Sequence, residues 1–260
     1  MNVNPISIAN GVFGRENELA SIRQRLAKRH SFLLYGPSGM GKTSLIRKAV
    51  SEHPEVLYCP DSSGKQAVLR ALAGVLLEQN SSAEHMLGGP EGIKTKSAIS
   101  LKGIVMDLLR GGKYWIVLDQ LSMPSQAFAA DVKEMAGWGM TPILGVARSD
   151  HMEDVGFLMP MFSDRSEKLE LRPLDEVTAE QFARMAIEAA GMVADNLSEF
   201  IARMLELSRG NPGVISSMVE MARLPKYWSG AQIMVAPLYI DFRLHWQAGG
   251  DKKTAREVAP

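Results

Sequence analysis

The sequence holds one cysteine, no excess of either charge and no long apolar run, and each shortage excludes something. Cys59 alone cannot form an internal disulfide, so the fold must rest on its core, as expected in a reducing compartment. Its place in the short run EVLYC marks it as a buried strand residue. The 29 basic and 29 acidic side chains cancel, so no global charge points to a nucleic-acid coat or a membrane surface. No stretch approaches the roughly 18 apolar residues that a membrane helix requires. The opening segment MNVNPISIANGVF has neither the basic start nor the apolar core of a secretory signal. These features read as a cytoplasmic protein without a membrane partner. The 16 methionines are read as fillers of irregular core gaps and carry no functional argument.

What is present alternates in character along the chain. Residues 15–29 place Leu19, Ile22 and Leu26 on one helical face. Short apolar runs follow at 31–35, 55–59, 114–119 and 141–147, with an alternating run at 167–171, and helical patterns lie between them. Near-continuous apolar runs such as YWIVLD suit parallel strands covered on both faces. The spacing predicts a doubly wound α/β class with a five-stranded parallel sheet, whose ligands sit at the carboxyl ends of the strands. Residues 81–96, rich in Ser, Gly, Pro and Lys, read as a mobile loop, and Leu101, Ile104, Val105 and Leu108 as a helix that stops at Gly111 and Gly112.

After Pro173 the strand patterns cease. A Thr178-x-x-Gln181 capping box, the same relation between Asn196 and Glu199, and Asn211 followed by Pro212 each predict a helix start. The expected organisation is a core at 1–172, a helical lid at 173–223 and an extension at 224–260 with a short strand near 237–246. No internal repeat is evident.

GPSGMGKT, from Gly36 to Thr43, matches Gly-x-x-x-x-Gly-Lys-Ser/Thr between a predicted strand and a predicted helix. In that setting the backbone of Gly36, Pro37, Ser38, Gly39, Met40 and Gly41 cradles phosphates at the start of the helix that continues through Ser44. Lys42 reaches the β and γ phosphates, and the Thr43 hydroxyl ligates magnesium. The strand 114–119 ends on Asp119, a carboxylate suited to hold Mg²⁺ directly or through its water. ATP and Mg²⁺ are the expected cofactors.

With these motifs the chain resembles the AAA+ and signal-transduction (STAND) ATPases, especially the compact archaeal, origin-recognition and transposition-regulator group. The resemblance spans about residues 11–222. It includes VFGRENEL, which by family likeness sets Val12 and Phe13 against adenine, with Gly14 and Arg15 completing the box; GRENEL also reads as a plain helix start. The resemblance further implies that Arg148, after the fourth strand, senses the γ-phosphate, and that Arg165, before the fifth, serves as an arginine finger in a neighbouring subunit. An exposed loop arginine is the alternative for each. RGNPG, with Pro212, resembles the Gly-x-Pro element that packs the lid on the nucleotide. A small-molecule P-loop kinase is a lesser alternative, disfavoured by the 35 residues before the loop.

Gln120 departs from the family pattern, in which an acidic residue after the metal-holding Asp polarises the attacking water. An amide can orient water but cannot take its proton. Two readings stay open: a slow ATPase switch working as a homo-oligomer, and a scaffold that binds ATP without turnover. Retained Arg148 and Arg165 favour the first, Gln120 the second. Lys94, Lys96, Lys102 and the tail DKKTARE offer contacts to nucleic acid, while the neutral charge balance favours a protein effector.

Overall fold

The computed structural model describes residues 12–62, 64–110, 114–138 and 141–254. Its elements in chain order are α1 (Glu16–Lys28), β1 (Phe32–Tyr35), α2 (Lys42–Val50), β2 (Val56–Cys59), α3 (Lys65–Gln79), α4 (Ser81–Leu87), α5 (Gly89–Thr95), α6 (Ala98–Arg110), β3 (Trp115–Leu118), α7 (Gln126–Trp138), β4 (Ile143–Ala147), α8 (Met152–Val155), β5 (Lys168–Glu170), α9 (Glu176–Ala189), α10 (Leu197–Ser208), α11 (Pro212–Ala222), β6 (Trp228–Ser229), β7 (Gln232–Ile233) and α12 (Val235–Thr254). They fall into two compact units. One holds residues 15–38 and 42–172; the other holds, among the described residues, 12–14, 39–41 and 173–254.

In the first unit β1 to β5 form one parallel sheet in the order β2-β3-β4-β1-β5. The five predicted runs are its strands. Phe32, Leu33, Leu34, Ile116, Val117 and Leu118 are fully buried, which is why β1 and β3 read as unbroken apolar runs. Among the described residues β5 lies at an edge, paired with β1 alone, and its Lys168-Leu169-Glu170 alternation reflects that position. Cys59 is buried, and burial pushes its thiol pKa up to about 12, so it is an inert core residue.

Residues 81–96 are not a loop. Asn80 caps α4 by accepting from the Ser82 amide at 2.9 Å, Gly88 at φ 73° ends it, and Pro90 stands in the first turn of α5. Ala83, Leu87 and Ile93 join the sheet's buried cluster. Of the Ser, Gly and Pro that suggested a loop, Ser81 and Ser82 open α4, Gly88 separates the two short helices and Pro90 lies in the first turn of α5. A Cβ on Gly92 would meet the Leu87 carbonyl at 2.0 Å, so glycine lets these helices meet. The predicted stop at Gly111 and Gly112 lies outside the described residues.

In the second unit α9, α10 and α11 bury Ala183, Ile187, Phe200, Met204, Ile215 and Met218 together. α9 begins three residues earlier than the Thr178 box suggested, because Asp175 is the cap, accepting from the Thr178 amide at 2.9 Å and hydroxyl at 2.7 Å. Asn196 stands at the start of α10 without capping it. Its amide instead pairs with both backbone groups of Ile233, at 2.9 Å each. After the β6–β7 hairpin the expected strand near 237–246 is the helix α12. Leu238 and Phe242, one turn apart, join the same buried cluster as α9 to α11. The end of the tail DKKTARE, from residue 255, lies outside the described residues. Among those residues no helix is long and apolar enough to cross a membrane.

Candidate functional site

β1 ends at Tyr35, the chain turns through Gly36 to Gly41, and α2 begins at Lys42. The backbone passes so close to Leu171 that a Cβ at Gly36 would lie 2.4 Å from its carbonyl oxygen. Gly39 and Gly41 take φ of 85° and 86°, a left-handed backbone that side chains resist. The turn leads directly into α2, whose first turn carries no acidic residue to oppose an anion. Pro37, Ser38 and Ser44 are exposed, and Met40 is buried as the loop's apolar anchor.

Lys42 extends its ammonium along the loop and donates to the carbonyls of Gly36 and, at 2.9 Å, Pro37. Burial pushes its pKa down to about 8, with Asp119 and Asp154 opposing and Arg148 adding to the fall. A lysine so tuned gains most from a new anion beside it.

Asp119 follows the last residue of β3 and is 1% exposed. Its amide donates to the Cys59 carbonyl at 3.0 Å and its carbonyl accepts from the Ser62 amide at 3.1 Å, so both ends of its backbone are tied to the segment leaving β2. Its Oδ2 accepts from the Thr43 hydroxyl at 2.9 Å and the Tyr58 hydroxyl at 2.5 Å, and its Oδ1 from the Gln120 amide at 2.8 Å. The sheet order puts β2 beside β3, which brings Tyr58 to the same carboxyl edge. A hydroxyl and a carboxylate oxygen in contact form a hard-oxygen donor set that fits Mg²⁺.

The sequence model of the family "novel STAND NTPase 1" matches residues 8–228. The chain belongs to that family. No curated protein gives a significant match to the sequence. Among solved structures, a Walker-type ATPase of Pyrococcus abyssi superposes with a TM-score of 0.66 at 15% identity, over 99% of this chain and 79% of that one. The Aeropyrum pernix ORC1 protein, solved in complex with DNA, gives 0.65 at 16% identity over 97% and 70%. Domain III of the Thermotoga maritima replication initiation protein DnaA gives 0.55 at 15% over 93% and 99%. At these identities the likeness is one of fold: this STAND NTPase has a P-loop ATPase α/β sheet followed by a helical part.

The other predicted residues of the STAND NTPase fall in three places. Gln120 is exposed at φ 58°, its amide donating to the Pro60 carbonyl at 3.1 Å. Arg148, just past β4, is 58% exposed and lies 3.5 Å from the Asp154 carboxylate, which also accepts from the Ser149 hydroxyl at 2.7 Å. Arg148 follows the carboxyl end of β4, which pairs in parallel with β1, the strand from whose carboxyl end the phosphate loop leaves. Arg165 is exposed in a single 3₁₀ turn capped by Asp164, ahead of β5. Because β5 runs parallel to β1 with Lys168 opposite Leu33, Arg165 sits at the amino ends of the strands. The loop leaves from their carboxyl ends. The chain does not bring Arg165 to its own phosphate loop.

In the helical unit, Phe13 lies 6.3 Å from the Phe182 ring, tilted by 37°. Val12 and Gly14 are half-buried, and a Cβ on Gly14, at φ 68°, would strike Thr178. Asn211 caps α11 by accepting from the amides of Gly213 and Val214, with Pro212 at the first helical position. The Gly213 amide also donates to the Gly39 carbonyl at 2.9 Å. Arg15 belongs to the α/β unit, where its guanidinium is buried against Glu18 at 2.9 Å and the Arg172 carbonyl at 2.7 Å. One site residue escaped the sequence reading altogether: Tyr58. Its signal in the sequence was no more than a hydroxyl-bearing side chain near the end of EVLYC; the strand order brings it beside Asp119.

Proposed function

We propose that the protein is an ATP-binding molecular switch that holds ATP with Mg²⁺ and hydrolyses it slowly. The observation that carries this reading is the contact of Thr43 Oγ1 with Asp119 Oδ2 at 2.9 Å, at the foot of a loop with two left-handed glycines and a half-buried lysine. In this reading the loop amides and the α2 N-terminus bind the phosphates, Lys42 meets the charge of the β and γ groups, and Thr43 and Asp119 hold the metal. The metal, when bound, neutralises charge on the transferred phosphoryl group. Arg148 senses the γ-phosphate. Val12, Phe13, Gly14 and Arg15 form the base element and Pro212 the lid element.

The exposure of Arg165 at the amino ends of the strands, away from its own phosphate loop, supports the reading that it serves a neighbouring copy's site in a homo-oligomer. The partner proposed is a protein effector. Lys94 is paired with Glu91, and Lys102 with Asp131 and Glu134, which favours a protein effector over nucleic acid for these two lysines. Retention on nucleic acid that falls steeply with salt would contradict this.

Gln120 favours a second reading. Its amide is held on the Pro60 carbonyl and has no group that titrates, so a scaffold that keeps ATP bound is its natural extreme. Both readings require Mg²⁺-dependent ATP binding by the full chain, measured by calorimetry. Lys42→Ala should weaken it; undiminished binding by that variant would contradict both.

A further inference from the structure

Asp119 is surrounded by donors supplied by its own chain. Thr43 and Tyr58 both donate to Oδ2, and the Gln120 amide to Oδ1. A carboxylate offers about four lone-pair positions, so three donors nearly fill it. The Thr43 contact and the Gln120 amide follow from the phosphate loop and from the strand itself. Tyr58 is an addition from β2. Hydroxyl-to-carboxylate bonds are charge-assisted and stronger than neutral ones. The phenol is also braced: the Arg47 guanidinium lies 5.5 Å from the centroid of its ring, and Arg47 is one helical turn beyond Thr43 on the same face of α2.

We propose that the Tyr58 hydroxyl is an internal competitor of magnesium, donating to the Asp119 oxygen that the metal or its water would use, and so sets how much Mg²⁺ is needed to retain nucleotide. This rests on the nucleotide-site reading above. The physical reason is the burial of Asp119. A carboxylate oxygen sealed from water and stripped of a donor is costly, and that cost falls on the metal-free form. Removing the hydroxyl therefore raises the metal-free form in free energy more than the metal-bound form, and affinity for the metal rises. A tyrosine that only shaped the site would act with the opposite sign, because a looser carboxylate would hold metal less well.

The test uses the full chain and a fluorescent ADP analogue, titrated with Mg²⁺, together with thermal unfolding in chelator. Tyr58→Phe keeps the ring and removes the donor. Its half-saturating Mg²⁺ should fall about threefold to tenfold relative to wild type, the scale of one such hydrogen bond. Its unfolding midpoint in chelator should also fall. Arg47→Ala, which unbraces the ring but leaves the hydroxyl, should shift the Mg²⁺ midpoint the same way by a smaller factor, and it carries the test if Tyr58→Phe does not fold. An unchanged or raised Mg²⁺ midpoint overturns the proposal. If wild type holds the analogue no better with Mg²⁺ than without, the nucleotide-site reading itself fails and the proposal falls with it.

Discussion

The hydroxyl of Thr43 donates to Oδ2 of Asp119 at 2.9 Å, joining two residues 76 positions apart in the chain. One opens α2 and the other follows β3, so the contact exists only because the sheet sets β1 and β3 on either side of β4. Thr43→Ala removes both a proposed metal ligand and one of Asp119's donors. Mg²⁺-dependent ATP binding should weaken by about tenfold or more, read by calorimetry with and without chelator. Binding in chelator should change far less.

Lys42 makes nucleotide affinity depend on pH. Its proton leaves the free protein as pH rises through about 8, whereas bound phosphate would hold that proton on. Affinity for ATP should therefore be flat below pH 8 and fall above it, by up to about tenfold per unit. Calorimetry in buffers of different ionisation enthalpy should show proton uptake on binding at pH 8.5 to 9. Lys42→Met should abolish both the uptake and the slope.

Asp131 pins three helices of the α/β unit. Its carboxylate lies 2.6 Å from Lys65 of α3 and 2.6 Å from Lys102 of α6, and Lys102 also reaches Glu134 at 2.6 Å. Burial pushes the Asp131 pKa up, but the hydrogen bonds from Lys102 and Lys65 outweigh it and hold the carboxyl below its ordinary range. A lowered folded pKa contributes stability that is present above the unfolded value and lost as pH falls through the folded one. Asp131→Ala should cost about 1–2 kcal/mol at neutral pH, discounted because both lysines are partly exposed. The difference from wild type should shrink in acid, as followed by denaturant melts at pH 7 and pH 3.

Gly36 has no room for a side chain. The Leu171 carbonyl that a Cβ would strike is itself fixed, because the Leu171 amide donates to Tyr35 at 2.7 Å. Gly36→Ala should destabilise the α/β unit by about 2–3 kcal/mol through overpacking that the backbone cannot relieve. A shift in the urea midpoint without a change in slope would show it.

The sheet was legible because its strands are buried on both faces: YWIVLD and SFLLY admit little else. The phosphate loop was legible because its glycines and Lys42-Thr43 occur at fixed spacing between a strand and a helix. Residues 81–96 misled because Asn80, Gly88 and Pro90 punctuate helices with the same residues that make loops. Residues 237–246 misled because Tyr239, Ile240 and Phe242 favour strands, and only burial of Leu238 and Phe242 against α9 to α11 selects the helix. Tyr58 stayed hidden for a different reason. Its role depends on which strand lies next to β3, and a single sequence does not state strand order.

The central claim is a site that binds ATP with Mg²⁺ and turns it over slowly because Gln120 stands after Asp119. The most direct measurement is single-turnover hydrolysis of radiolabelled ATP by wild type and Gln120→Glu over a range of protein concentrations. The account predicts slow cleavage by wild type, a rate per molecule that rises with concentration as Arg165 reaches a neighbour's site, and faster cleavage by Gln120→Glu. ATP held tightly by wild type yet never cleaved, at any concentration, would contradict it.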